Sequence, residues 1–260
     1  LLQPLYDNMI TAETIEQLAK RYQMSIFPNI VREYFEHVFL AKLYTLPGAE
    51  KLLFKGGTAL RIVYGSPRFS EDLDFSLFGV APHEVKQIVE NLFIKVLASI
   101  EQIGVRVELG ERSHETSGGY LGLATFRMLD YQPIGVEINI STRSASVRGE
   151  VDSVANDFVP TYSIIHLSQQ ELVEEKIFGA LLERKKPRDF YDLYFMMRRG
   201  MLSLEQKNKL ATVKATIVAE ANRINFRGEL GTFLPADQQG IIRDFSRVLE
   251  AEMSRQLASL

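Results

Sequence analysis

FKGGTALRIVYGSPRFSEDLDF, running from Phe54 to Phe75, joins two signals that mean little apart. Two adjacent glycines and a threonine open a helix-like run, and an Asp-Leu-Asp follows inside EDLDFSLF, which reads as a strand with Leu73, Phe75 and Leu77 on one face. Residues two apart on a strand share a side, so Asp72, Asp74 and Ser76 project together. Carboxylates that close repel unless a cation sits between them, and hard divalent ions such as Mg²⁺ suit oxygen ligands while leaving room for phosphates. Gly56 and Gly57 let the backbone come close to a ligand, and Thr58 is placed to cap the following helix, whose N-terminal N–H groups attract phosphate. A phosphate held over a metal uses both signals at once.

The rest of the chain sets bounds on that reading. Its 260 residues are 46% hydrophobic and 24% charged, an ordinary globular composition for one large domain or two modest ones. A formal net charge of −3 means that any nucleic-acid surface must be a local patch. Cysteine is absent, which excludes disulfides and thiolate metal sites. No apolar run reaches the roughly 18 residues of a membrane span, and LLQPLYDNMI carries an acid and a proline where a signal peptide would carry a basic start. A soluble cytoplasmic protein without membrane contact is the expectation. The histidines His37, His83, His114 and His166 share no spacing that would build a metal site or a Ser-His-Asp triad.

Working outward, helical spacing predicts helices over Thr11–Tyr22 and Ser25–Tyr44, and KLLF predicts a short buried strand before the glycines. A helix from Pro82 to about Ile103 is followed by strands in VRVELGE, GYLGLATFRML and PIGVEINIS. From Ser168 the chain reads as helical to its end, broken near Lys186-Pro187, Gly200 and a loop around Gly228 to Pro235. The expected organisation is an N-terminal helical segment over 1–50, a mixed catalytic core over 51–145 and a C-terminal helical region over 146–260, an α+β arrangement.

A metal site for phosphoryl transfer wants a further carboxylate. In GVEINIS, Ile134, Val136, Ile138 and Ile140 would face a core while Glu137, Asn139 and Ser141 face the other way, so Glu137 looks toward the aspartates if the strands pair. Glu108 in VRVELGE competes, with a less clean alternation.

KGGTAL, RFSEDLDF, a carboxylate strand and EEKIFGALLERKKPRDFYDLY together resemble the AbiEii/AbiGii-type nucleotidyltransferases, toxins of bacterial type IV toxin–antitoxin and abortive-infection systems. The resemblance runs from about Leu52 to about Tyr194. It implies a mixed-sheet nucleotidyltransferase fold like that of DNA polymerase β, and a catalytic Asp72/Asp74 pair binding Mg²⁺ (or Mn²⁺). It implies a nucleotide-binding set in which Lys55, Gly56, Gly57, Thr58 and Ser70 meet an NTP, and a cognate antitoxin encoded alongside. In the later helices it implies a functional Lys176 and a functional acid at Asp189 or Asp192.

The residues of those helices agree. Ser168 and Glu171 form a capping box, and in the resulting register Lys176 lies among Leu172, Val173, Gly179 and Ala180, an apolar neighbourhood that suits an ammonium reaching a cleft to neutralise triphosphate. Arg184, Lys185, Lys186 and Arg188 supply a local basic patch for an RNA acceptor such as tRNA, and Tyr191 and Tyr194 are candidates for base stacking. Asp192 stands one turn from Arg188, a spacing for an ion pair. The expected reaction is two-metal transfer of an NMP from an NTP, with Asp72, Asp74 and Glu137 as metal ligands and Glu137 assisting deprotonation of the acceptor. A small-molecule nucleotidyltransferase and a non-catalytic nucleotide-binding module are the alternatives.

Overall fold

The computed structural model describes residues 9–110, 113–116, 118–143 and 149–258, so the opening residues 1–8 and the expected boundary at 145/146 lie outside the described residues. By contacts the chain forms two compact units, one of Leu1–Gly65 with Phe69–Leu167 and one of Ser66–Arg68 with Ser168–Leu260.

The first unit is built on one mixed sheet. Helices α1 (Ala12–Arg21) and α2 (Val31–Leu43) precede β1 (Leu52–Lys55), α3 (Gly56–Ile62), β2 (Leu73–Phe78) and α4 (Val85–Glu101). Strands β3 (Arg106–Leu109), β4 (His114–Thr116), β5 (Gly119–Arg127), β6 (Ile134–Arg143), β7 (Gly149–Val154) and β8 (Tyr162–Leu167) complete it, in the order β3-β5-β6-β2-β1-β8-β7 with β4 paired to β5. Strand β2 runs antiparallel to β1 and parallel to β6, and β8 lies parallel to β1 on its other side.

Alternation decides the two faces. Leu73, Phe75 and Leu77 of β2 and Ile134, Val136, Ile138 and Ile140 of β6 are buried. On the same side Phe126 of β5 stacks on Phe35 of α2 with ring centroids 4.1 Å apart, and Phe39 of α2 meets Phe93 of α4 edge-on at 5.8 Å. Each such side chain contributes about 1.5–3 kcal/mol by leaving water. The opposite face is polar and carries the site described below.

Three expectations are corrected here. The helix read over Ser25–Tyr44 becomes α-helical only at Val31, because Phe27, which precedes Pro28, takes an extended backbone (φ −117°, ψ 135°). Residues 149–167, placed by sequence in the C-terminal helical region, instead add β7 and β8 to the sheet. Most of β7 is exposed, so it has no hydrophobic period to betray it. The strand at β4 was likewise not foreseen.

Helix α2 is buried almost all round, charged residues included. Glu33 is held by Arg61 of α3, whose Nε and Nη2 donate to its two carboxylate oxygens at 3.0 and 3.1 Å, and the guanidinium lies 4.0 Å from the Phe69 ring centre. His37, whose Nδ1 lies 2.9 Å from Tyr162 Oη, has its pKa pushed down to about 3 from 6.5 by burial, with the Arg61 charge adding to it. Between these values the unfolded chain takes a proton that the folded one refuses. Stability conferred by the neutral ring is complete above pH 6.5 and falls with pH by up to about 1.4 kcal/mol per unit. We expect urea unfolding to report about 2 kcal/mol less stability at pH 5 than at pH 7 from this residue, a share that His37→Gln removes. An unchanged pH slope in the variant would reject the assignment.

The second unit is helical. Ser168 Oγ accepts from Glu171 N at 3.4 Å and starts α5 (Gln169–Glu174), which runs through a π-helical stretch, Glu175–Leu181, into α6 (Leu182–Arg184). Lys185 turns left-handed (φ 53°) and Pro187 opens α7 (Pro187–Arg198). A Ser203/Gln206 capping box opens α8 (Leu204–Ala221), and α9 (Arg227–Phe233) and α10 (Phe245–Leu257) follow. The loop expected at Gly228 to Pro235 is thus mostly helix, because Leu230 and Phe233 are both buried and their packing outweighs the two glycines. Tyr191, considered for base stacking, is 2% exposed and packs on Phe245, so it belongs to the core.

Candidate active site

The site begins where β1 hands over to α3. Gly56 has φ +85°, a backbone conformation that side chains resist, and a Cβ there would come within 2.8 Å of both Cβ and Cγ of Asp74. The bare backbone at the head of α3 therefore lies directly against the Asp74 carboxylate. Gly57 and Thr58 follow, both buried. Thr58 is not the cap that sequence suggests: the helix already starts at Gly56, and the Thr58 hydroxyl donates instead to the carbonyl oxygen of Asp72. The glycine turn and the aspartate segment are thus tied by a direct hydrogen bond.

Strand pairing assembles the remainder. Asp74 lies opposite Lys55 in β1 and beside Asn139 in β6, and Ser76 lies beside Ser141. Asn139 Nδ2 donates to Asp74 Oδ1 at 3.3 Å, and Lys55 Nζ donates to Ser141 Oγ at 2.8 Å. Asp72, just before β2, is half-buried, as is Ser70 before it. Glu137 is exposed on β6 two residues before Asn139, on the face that carries Asn139, Ser141 and Asp74. Glu108 shares that face through its pairing with Thr125, but β5 and β6 stand between β3 and β2, about 14 Å of sheet. Among the described residues no group of three or more His, Asp or Glu side chains converges on one metal-sized point. The Asp74 carboxylate against Gly56 is the kind of oxygen donor that a hard cation takes, and Glu137 shares its face without being gathered with it.

The glycine requirement is testable. Gly56→Ala is expected to cost about 2 kcal/mol in urea unfolding, from backbone strain together with collision against Asp74. Gly65→Ala, where φ is +75° but no heavy atom lies within 4 Å, should cost about half as much. Equal losses at the two positions would show that the Asp74 contact does not matter.

Lys176, Asp189 and Asp192 lie in the helical unit. Asp192 is fully buried and accepts from Arg68 Nε at 2.9 Å, Arg68 Nη2 at 3.1 Å and Lys176 Nζ at 2.8 Å. Burial by itself would raise its pKa, but the two cations reverse this and hold the carboxyl below its ordinary value. Arg188 Nε lies 3.4 Å from a carboxylate oxygen of Glu229. Lys176 is 8% exposed and committed to Asp192, neither solvated nor snorkelling. Asp189 accepts from the backbone of Lys186 at 3.1 Å and from Arg184 Nη2 at 2.5 Å, so it caps α7. Lys185 faces Glu220 at 3.4 Å. Three of the basic residues expected to meet an acceptor are therefore ion-paired within their own unit. Sequence reasoning passed over Arg68 and the Asn139–Asp74 bond; the former stands inside RFSEDLDF, but its partner is 124 residues away.

The family model "Nucleotidyl transferase AbiEii toxin, Type IV TA system" matches residues 38–258, and the chain belongs to that family. A crystal structure of a protein from H. pylori assigned as a nucleotidyltransferase superposes with a TM-score of 0.64 at 19% identity, covering 90% of this chain and 96% of that one. An antigenic nucleotidyltransferase-like protein from Paracoccidioides brasiliensis gives 0.48 at 16% identity, over 79% of this chain and 95% of its own. No curated protein matches the sequence. No helix among the described residues is long and apolar enough to cross a membrane.

Proposed function

We propose that the chain transfers a nucleoside monophosphate from an NTP to a hydroxyl of an RNA acceptor, tRNA being the foremost, in the cytoplasm, as the toxin half of a system whose antitoxin is encoded alongside. The observation that carries the reading is the contact of bare Gly56 backbone with Asp74, flanked by Asp72, Lys55 and Asn139. Asp72 and Asp74 would hold Mg²⁺ or Mn²⁺, which when bound supplies charge neutralisation at the transferring phosphate. The Gly56-Gly57-Thr58 turn, Lys55 and Ser70 grip the nucleotide. Glu137 accepts the proton of the acceptor hydroxyl as that oxygen bonds to the α-phosphorus and pyrophosphate departs.

Each of the four labelled NTPs incubated with Mg²⁺ and total cellular RNA should label one class of RNA on a gel. Failure of every NTP to label RNA, with pyrophosphate still released in the presence of small hydroxyl compounds, would replace RNA with a small-molecule acceptor. That second reading has one observation in its favour, the pairing of Arg184, Lys185 and Arg188 with acids. Absence of metal-dependent pyrophosphate release under all conditions would leave a nucleotide-binding module without the reaction.

A further inference from the structure

The helical unit holds a cavity of about 680 Å³ beside α9 and α10 that none of the expected site residues lines. Its size falls within the range of small-ligand sites. Arg227 and Arg243 stand at its exposed positions, and among the described residues no carboxylate or other side chain engages either guanidinium. Polar contacts are available from Asn225 and Ser246, while Ile242 and Phe226 supply apolar wall. No carboxylate lines it.

We propose that this cavity is a docking site for one nucleotide unit of a single-stranded RNA, a proposal that rests on the RNA-acceptor reading above. Two arginines and apolar side chains lining one cavity match the chemistry of a phosphodiester followed by a base, because guanidinium grips phosphate oxygens and every base has an apolar face. A free nucleoside triphosphate is a poorer match: it travels with Mg²⁺, and the walls offer no acid to receive that ion. The contrast with Arg184, Lys185 and Arg188 is direct, since those cations are already satisfied by Asp189, Glu220 and Glu229.

Gly231 offers a test independent of charge. It lines the cavity within α9, and a Cβ built there meets no heavy atom within 4 Å, so a larger side chain enters empty space. The experiment measures binding of a fluorescein-labelled single-stranded RNA of mixed sequence to the full chain across a salt series, alongside NTP binding and thermal stability. Arg227→Gln/Arg243→Gln should weaken RNA binding at least about tenfold and make the log–log salt dependence shallower by about one to two units. Gly231→Leu should weaken it comparably with the melting temperature kept, and neither variant should change NTP affinity. Unaltered RNA affinity and salt slope in both variants, against a wild-type chain that binds and labels RNA, would overturn this site and leave the acceptor reading standing. Loss of NTP affinity with RNA binding intact would also overturn it, in favour of a mononucleotide site. A wild-type chain that neither binds nor labels RNA would overturn both.

Discussion

Asp74→Asn lowers nucleotidyl transfer by at least about 10³-fold while leaving the fold intact. The magnitude follows from what a metal-binding carboxylate does: several kcal/mol of transition-state charge stabilisation depend on it, and each 1.4 kcal/mol is about a factor of ten in rate. Retention of the fold follows from the local geometry. Asparagine has the shape of aspartate, so it fits against Gly56 without new contact, and its Oδ1 still accepts from Asn139. Loss of a carboxylate that repels its neighbour adds no cost to the chain without metal. Asp72→Asn should behave alike, because the bond from Thr58 goes to the Asp72 backbone rather than to its side chain. The measurements are pyrophosphate release under saturating NTP and the melting temperature with and without Mg²⁺. Wild-type protein should melt higher with Mg²⁺ and the variants should not. Near wild-type transfer by either variant, with the protein folded, would remove the aspartates from the chemistry.

Asp192→Ala should destabilise the helical unit by about 3–5 kcal/mol, the largest stability effect expected of any single substitution here. Arg68 and Lys176 both point at this carboxylate from buried positions, and its removal takes away an acceptor that the two positive charges share. Breaking a buried pair is costly for that reason, whereas replacing all members by apolar side chains of similar volume can be neutral. The triple variant Asp192→Leu/Arg68→Met/Lys176→Met should therefore recover most of the loss in urea unfolding. The pH dependence has a definite sign. Because the folded pKa of Asp192 lies below its ordinary 3.8, the pair contributes fully above that value and is lost as pH falls further, through the folded pKa. A stability loss under about 1 kcal/mol in Asp192→Ala would mean that the two cations find water or other acceptors, and that the cluster is not a buried one.

The polar face of the site was legible before any coordinates. Strand alternation puts Asp74 and Ser76 on one side of β2, with Asp72 just ahead of the strand, and the same rule puts Glu137, Asn139 and Ser141 on one side of β6. Whether those two sides coincide depends on register, and a slip of one residue would have turned Glu137 into the core. The Leu73↔Ile138 pairing settles it. The N-cap at Ser168 was legible for a similar reason, since a cap is a contact between residues three apart. The loop at Gly228 to Pro235 was misjudged because glycine spacing speaks only to backbone freedom, whereas burial of Leu230 and Phe233 depends on what packs against them.

The sequence by itself determined the strand-to-helix glycine turn, the face of β2 that carries Asp74 and Ser76, and the family to which they belong, since each is a matter of neighbours along the chain. Only the tertiary structure decided that Gly56 touches Asp74, that Asn139 supports it and that Lys176 spends its charge on Asp192 beside Arg68. It likewise decided which arginines of the helical unit stay unpaired. These are contacts between residues as many as 124 positions apart, set by strand pairing and side-chain packing. Their energies depend on burial and partner geometry, which local periodicity does not encode.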